Sequence, residues 1–371
     1  MSQGEWLKLL ERCWNGLIRS QTVQHKELTC AEKFKALHGP ETLAYFVLNG
    51  ANEYLSIGEL KALLETYGYK VGLSCTTMIC TSRMPFRILG GIMERASFLR
   101  EAGIILGIDD PENPTLNFQL PDPLPRGWLH VSNMKKTASE KTVESYVSLL
   151  TKSTGLNTSY SKGCEYRLLF SNGVVFLGVK THKHRDSIPG FNEGFYKPFD
   201  RSIALSPRLA KALINLARVR EGDVIADPFA GTGTIPIIAS AIGISSIGIE
   251  LDWSLVHGME KNLRYYRANA IPVLGDSTEI NLSGIDAVAT DPPYGRGAST
   301  HGEAVASIYS KFIEKIPSWV RSNGYASFLT PLFLEDFVDD IISRTGLILV
   351  EKYYDYVHSG LTRIVYVVKN A

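Results

Sequence analysis

Four short apolar runs in the second half of the chain each end on an acidic residue, and this recurrence constrains the fold more than any other feature. Val224-Ile225-Ala226 ends on Asp227, Ser246-Ile247-Gly248-Ile249 on Glu250, Ile271-Pro272-Val273-Leu274 on Gly275-Asp276, and Ala287-Val288-Ala289-Thr290 on Asp291. Brief, nearly uninterrupted apolar runs rich in Val and Ile read as parallel strands covered on both faces. In a doubly wound sheet of this kind, ligands sit at the carboxyl ends of the strands. Any one of these acids alone reads as a cap or a solvated residue. Four in order along one rim read as a site.

The first strand is followed by Pro228-Phe229-Ala230-Gly231-Thr232-Gly233-Thr234 and then by the apolar stretch Ile235–Ile242, which opens a helix. The Gly-x-Gly element lets the backbone come close to a ligand. A dinucleotide fingerprint would need a third glycine, and a P-loop a lysine. Thr234-Ile235-Pro236 supplies neither, which argues against NAD and ATP. Glu250, with Leu251 and Asp252 after it, lies about twenty positions beyond the glycine loop, where a ribose hydroxyl pair is held. Gly275-Asp276-Ser277-Thr278 is placed to meet an adenine edge. In Asp291-Pro292-Pro293-Tyr294 the two prolines fix two φ angles and remove two donors. The turn then offers acceptors only, the Asp291 carboxylate and the Pro292 carbonyl, beside the Tyr294 ring. An exocyclic amino group on a planar ring fits that set.

Taken together, D-P-F-A-G-T-G-T, G-I-E-L-D, G-D-S-T and D-P-P-Y-G resemble the successive motifs of an S-adenosylmethionine-dependent amino-methyltransferase. The sharper resemblance is to the archaeal and eukaryotic family that methylates N2 of guanosine 10 in tRNA. It adds Tyr294-Gly295-Arg296 and the late segment Val357-His358-Ser359-Gly360-Leu361-Thr362-Arg363. The resemblance implies S-adenosylmethionine as cofactor, held by Asp227, Pro228, Phe229, Ala230, Gly231, Thr232, Gly233, Glu250, Leu251, Asp276, Ser277 and Asp291. Ser206, at a helix start, would close over the methionine end. Asp291, Pro292 and Tyr294 would be catalytic. The implied fold is α/β: a Rossmann-like class I sheet with an antiparallel final strand, behind an α+β ferredoxin-like and THUMP RNA-binding module. tRNA is the implied partner, with neither DNA nor a membrane. Some members work with a small zinc-binding activator subunit, and the sequence leaves that open here.

The expected organisation is a helical extension over 1–41, a ferredoxin-like domain over 42–108, THUMP over 109–185, a linker over 186–205 and the methyltransferase over 206–371. In the second of these, Ser56 and Glu59 have capping-box spacing for a helix over 57–67, and 87–101 reads as one helix. A net charge of +1 conceals a polarised chain, since residues 126–185 carry ten Lys and Arg against three Asp and Glu. A polyanion partner fits that half. Lys135, Lys136, Lys162, Lys180, Lys183, Arg185 and, beside the catalytic turn, Arg296 are the candidate RNA contacts. Five cysteines (Cys13, Cys30, Cys75, Cys80, Cys164) form no C-x-x-C pair. They read as reduced thiols of a cytoplasmic protein, with no zinc site. His358 reads as structural.

Other readings remain at this stage. D-P-P-Y also serves DNA amino-methyltransferases, and a glutamine methyltransferase would favour Asn at 291. THUMP enzymes also act on rRNA and on tRNA guanosine 6. A non-catalytic RNA-binding protein would not need acids at 227, 250, 276 and 291.

Overall fold

The computed structural model describes residues 30, 34, 41–69, 72–184, 195–200, 205–294, 302–358 and 361–371. The helices expected within 1–41, most of the linker, Arg185, Arg296 and the loop 295–301 lie outside the described residues. Strands are β1 (Thr42–Leu48), β2 (Ser74–Thr76), β3 (Ile79–Met84), β4 (Leu99–Asp109), β5 (Gly127–Asn133), β6 (Cys164–Ser171), β7 (Val174–Lys183), β8 (Val224–Asp227), β9 (Ser245–Glu250), β10 (Ala270–Leu274), β11 (Ile285–Thr290), β12 (Val320–Pro331), β13 (Ile348–His358) and β14 (Leu361–Lys369). Helices are α1 (Glu53–Thr66), α2 (Leu89–Arg95), α3 (Glu140–Thr154), α4 (Pro207–Leu216), α5 (Thr234–Ala241), α6 (Trp253–Tyr266), α7 (Gly302–Trp319) and α8 (Glu335–Thr345).

The chain forms two compact units, and the boundary is crossed repeatedly. The first unit draws on Met1–Leu48, Val71–Met93 and Arg100–His184; the second on Asn49–Lys70, Glu94–Leu99 and Arg185–Ala371. The first unit is built on one sheet in the order β2-β3-β1-β4-β7-β6-β5. Its β5–β6 pair is parallel, while β1–β3, β2–β3, β4–β7 and β6–β7 are antiparallel. Helix α3 begins where Ser139 accepts from the Thr142 N–H and ends on Gly155 at φ 72°, the left-handed stop that glycine takes without strain.

The second sheet has the order β10-β9-β8-β11-β12-β14-β13. It is parallel from β10 to β12 and antiparallel through β14 and β13, as the sequence implied. Side chains alternate across a strand, so each strand feeds two cores. Ile225, Ala287, Ala289, Leu329 and Val365 pack with α4 and α5 on one face. Ala226, Val288, Phe328 and Tyr366 pack with α7 and α8 on the other. Covering both faces is why these strands read as continuous apolar runs.

Three local expectations are corrected. Ser56 does not cap the first helix; α1 starts earlier, where Asn52 Oδ1 accepts from the Leu55 N–H. Glu59 is fully buried and accepts from the Ser97 and Phe98 N–H groups and the Asn215 amide, each at 2.8 Å. It is a tertiary staple rather than a capping-box partner. Those bonds also end α2 at Arg95, because Ser97 and Phe98 give their donors to a carboxylate instead of a helical turn. The helix expected over 87–101 therefore gives way to β4 at Leu99.

The cysteines are the third correction. Cys30–Cys164 and Cys75–Cys80 are disulfides, with Cα separations of 5.6 and 4.1 Å. Cys75 and Cys80 face each other in the β2–β3 register, and the first pair spans 134 residues. Pairing follows from register and folding, which cysteine spacing in the sequence does not reveal. Among the described residues no group of three His, Cys, Asp or Glu is placed to hold a metal ion. No described helix is long and apolar enough to cross a membrane.

Candidate active site

The strand order of the second sheet reverses between β8 and β11, which lie side by side in parallel. A crevice opens at the carboxyl ends of strands at such a reversal, and Asp227 and Asp291 stand there. Asp227 is 1% exposed. Its Oδ1 accepts from Thr290 Oγ1 at 2.6 Å and from the Phe229 N–H at 3.3 Å. Burial pushes its carboxyl up to about 7, against the pull of the Thr290 bond.

The glycine loop is shaped by Gly231 and Gly233 at φ 52° and 86°. At Gly233 a Cβ would also come within 2.8 Å of Met259. Glu250 braces this loop, with Oε2 accepting from the Gly231 N–H at 3.0 Å and Oε1 from the Asp252 N–H at 2.9 Å. Asp276 Oδ1 accepts from both the hydroxyl and the N–H of Thr278, which holds its carboxyl below the usual carboxylate range.

Two adjoining clefts follow this rim. One of about 310 Å³ is lined by Leu205, Asp227, Gly231, Thr232 and Asp291 among others. The other, of about 530 Å³, is lined by Glu250, Leu251, Asp276, Ser277 and Pro293 among others. Phe229, Leu255 and Asp291 belong to both. The space is that of a nucleoside-sized ligand, lined by both carboxylate acceptors and apolar side chains. Ser206 caps α4, accepting from the Leu209 N–H at 3.3 Å, and the cleft wall at that point is Leu205.

At the junction of the clefts, the Tyr294 hydroxyl donates to Asp291 Oδ1. Burial pushes the Asp291 carboxyl up to about 6, opposed by the Tyr294 bond and the Arg363 charge. Burial and the facing carboxylate also push the Tyr294 phenol well up. Tyr309 of α7 is fully buried and donates to the Leu329 carbonyl at 3.1 Å, a core role as its helical spacing suggests.

Two residues escaped the sequence reading of the site. Lys197 is buried, and its ammonium donates to Thr232 Oγ1 at 2.6 Å and Thr234 Oγ1 at 3.2 Å while pairing with Asp200 at 2.9 Å. The only hint was a lysine inside the aromatic cluster Phe195-Tyr196-Lys197-Pro198-Phe199. Arg363, on β14, sits opposite Pro331 of β12 and so at the same strand-end rim.

The basic residues of the first unit are not drawn into one cluster. Lys135 and Lys136 follow the end of β5, whereas Lys162 precedes the start of β6, so they lie at opposite ends of a parallel pair. These three and Lys183 are exposed. The Lys180 ammonium is engaged by Glu165.

This sheet order, antiparallel finish and acid-lined rim define a class I methyltransferase. Residues 195–339 match the family model described as the RMKL-like methyltransferase domain. The crystal structure of TrmN from Thermus thermophilus covers 89% of this chain, over all of its own length, with a TM-score of 0.50 at 18% identity. Among curated proteins, the tRNA (guanine(10)-N2)-dimethyltransferase of Methanothermobacter thermautotrophicus is 36% identical over 47% of this chain and 51% of its own length. That of Methanocaldococcus jannaschii is 28% identical over 87% of this chain and 99% of its own. A Methanothermococcus thermolithotrophicus protein named "Probable tRNA (guanine(10)-N2)-dimethyltransferase" is 30% identical over 44% of this chain and 98% of its own length. The chain belongs to the tRNA (guanine(10)-N2)-dimethyltransferase family.

Proposed function

We propose that this protein transfers methyl groups from S-adenosylmethionine to the exocyclic N2 of guanosine 10 in tRNA, once and then a second time. The observation that carries the reading is the Asp291-Pro292-Pro293-Tyr294 turn at the junction of two clefts sized for a nucleoside cofactor. The residues fit that cofactor. Glu250 and Asp276 offer acceptors for hydroxyl and amino groups, Phe229 and Leu255 offer an apolar wall, and Asp227 is a buried carboxylate facing the narrower cleft. When bound, S-adenosylmethionine supplies a methyl group already activated as a sulfonium.

The residues then have to orient a poor nucleophile, because the guanine amino lone pair is delocalised into the ring. In the first transfer Asp291 and the Pro292 carbonyl accept its two N–H bonds, turn the lone pair outward and stabilise the positive charge that develops on nitrogen; the methylated nitrogen then releases one proton to solvent, and in the second transfer its single remaining N–H donates to Asp291. Tyr294 supports the base plane. Since the Tyr294 hydroxyl occupies Asp291 Oδ1, the arriving amino group must share or displace it. Holding the reacting atoms about 3 Å apart and aligned lowers the barrier further. Guanosine 10 is paired in tRNA, so its extrusion costs a few kcal/mol. The first unit, with exposed Lys135, Lys136, Lys162 and Lys183, would position the RNA through its phosphates.

The test is incubation of the purified chain with labelled S-adenosylmethionine and unmodified tRNA transcript, followed by digestion and mass spectrometry. N2-methyl- and N2,N2-dimethylguanosine at position 10 are expected. Label at another guanosine would refute the assigned position. Activity of the chain by itself would show that no zinc-binding activator subunit is needed. We place the enzyme in the cytoplasm on the strength of its tRNA substrate, not of its cysteines.

A further inference from the structure

We propose that Arg363 is a positioning residue for methyl transfer: anchored by Asp355, its guanidinium holds Tyr294 and the Asp291 carboxylate in the arrangement that receives the guanine amino group. This rests on the reading of Asp291 given above. The placement comes from the antiparallel finish of the sheet. Asp355 of β13 lies directly across from Arg363 in register, and Nη2 donates to Asp355 Oδ2 at 2.7 Å. The two side chains are only 17% and 22% exposed. Opposite Pro331 at the end of β12, Arg363 stands at the rim where Asp291 and Tyr294 turn outward, and its guanidinium acts electrostatically on both.

The chemistry of the three groups fixes the direction of the chain of bonds. A guanidinium only donates, a carboxylate only accepts, and a phenol does both. Tyr294 therefore accepts from Arg363 and donates to Asp291. Arg363 Nε is buried with no partner among the described residues, so Asp355 does not exhaust the donors. A planar, permanently charged fork can serve Asp355 and Tyr294 together, which a lysine ammonium cannot match in geometry.

Charge makes the arrangement consequential. Asp291 is useful to a developing cation only when ionised, and burial opposes ionisation. Among the described residues, the groups around it are Asp227 at the end of β8, Tyr294 on its own turn, Tyr309 and Lys311 on α7, and Arg363 on β14. Lys311 is paired with Glu279 at 3.2 Å. Among the described residues, Arg363 is the cation joined to the Tyr294–Asp291 pair.

The experiment compares wild type, Arg363→Met and Arg363→Lys in single-turnover methylation from pH 5.5 to 9, with cofactor affinity measured by calorimetry. For Arg363→Met the expected loss in rate is about 30-fold at pH 6.5, and the acidic limb should move up by about one pH unit, since losing a facing opposite charge raises a carboxyl. The loss should shrink to about tenfold at pH 9, with cofactor affinity within about twofold of wild type. Arg363→Lys should restore the limb and only part of the rate. A loss of equal size at every pH, with the limb unmoved, would overturn the proposal, as would a matching fall in cofactor affinity. If Arg363→Met melts below the assay temperature, the uncharged polar Arg363→Gln carries the same test. Asp291→Asn separates the premise from the proposal. Full activity there removes the role of Asp291, whereas an inactive Asp291→Asn beside a normal Arg363→Met overturns the role of Arg363 alone.

Discussion

Asp227 should make the unloaded protein less stable as pH rises, and replacing it with Asn should abolish that dependence. Its carboxyl titrates at about 7 in the fold and at about 3.9 in an unfolded chain. A raised folded value means that the folded state binds the proton more tightly. The penalty for the buried charge is therefore absent below about pH 4, grows between 4 and 7, and is complete above 7. With 1.36 kcal/mol per unit, the two values imply a penalty of about 1.5 kcal/mol at pH 5 and about 4 kcal/mol at pH 8. Asn keeps an oxygen for the Thr290 hydroxyl and the Phe229 N–H, so its intrinsic effect is nearly the same at both pH values. Denaturant unfolding of the cofactor-free protein should then show the Asp227→Asn difference shifting by about 2.5 kcal/mol in favour of the variant between pH 5 and pH 8. An identical difference at the two pH values would refute the argument. The same variant should lose cofactor affinity, because a buried carboxylate facing the cleft is stabilised by a cationic ligand. Binding to wild type should tighten from pH 5 to pH 8, and binding to the variant should not.

Asp291→Ala should abolish methylation while leaving cofactor affinity near wild type by calorimetry; a normal rate would remove it from the mechanism. Lys197→Met should weaken cofactor binding about tenfold or more by loosening Thr232 and Thr234. Its stability in thermal melts should change by under about 2 kcal/mol, because relief of a buried ammonium offsets the two threonine bonds and the pair with the exposed Asp200. Glu59→Ala strands two backbone N–H groups and the Asn215 amide in the interior, and denaturant unfolding should show a loss of about 3–5 kcal/mol.

The methyltransferase half was legible because its strands are buried on both faces and end on acids, so pattern and site coincide in the sequence. Asp227, Glu250, Asp276 and Asp291 all reach the clefts from the strand ends where their runs placed them. What the sequence hid was set by contacts between distant segments. Glu59 has capping-box spacing, yet its carboxylate finds Ser97, Phe98 and Asn215. Lys197 looks like a linker lysine until the chain folds it onto Thr232. Arg363 stands in the late segment that carries the resemblance, yet its partner appears only when antiparallel pairing brings Asp355 across from it. Partners of that kind carry no local periodicity, and a buried charge is indistinguishable in sequence from a solvated one.

The interleaving of the two units has a consequence for biosynthesis. Leu55 and Ala62 of α1, with Phe98, complete the core formed by Leu209, Leu213 and Leu216 of α4 and Ile225 of β8. Helix α1 leaves the ribosome about 150 residues ahead of α4. At about 5–20 residues per second, its apolar side waits roughly 8 to 30 s for a partner that has not yet been made. When the catalytic half finally emerges, it closes its core on a piece that was translated first.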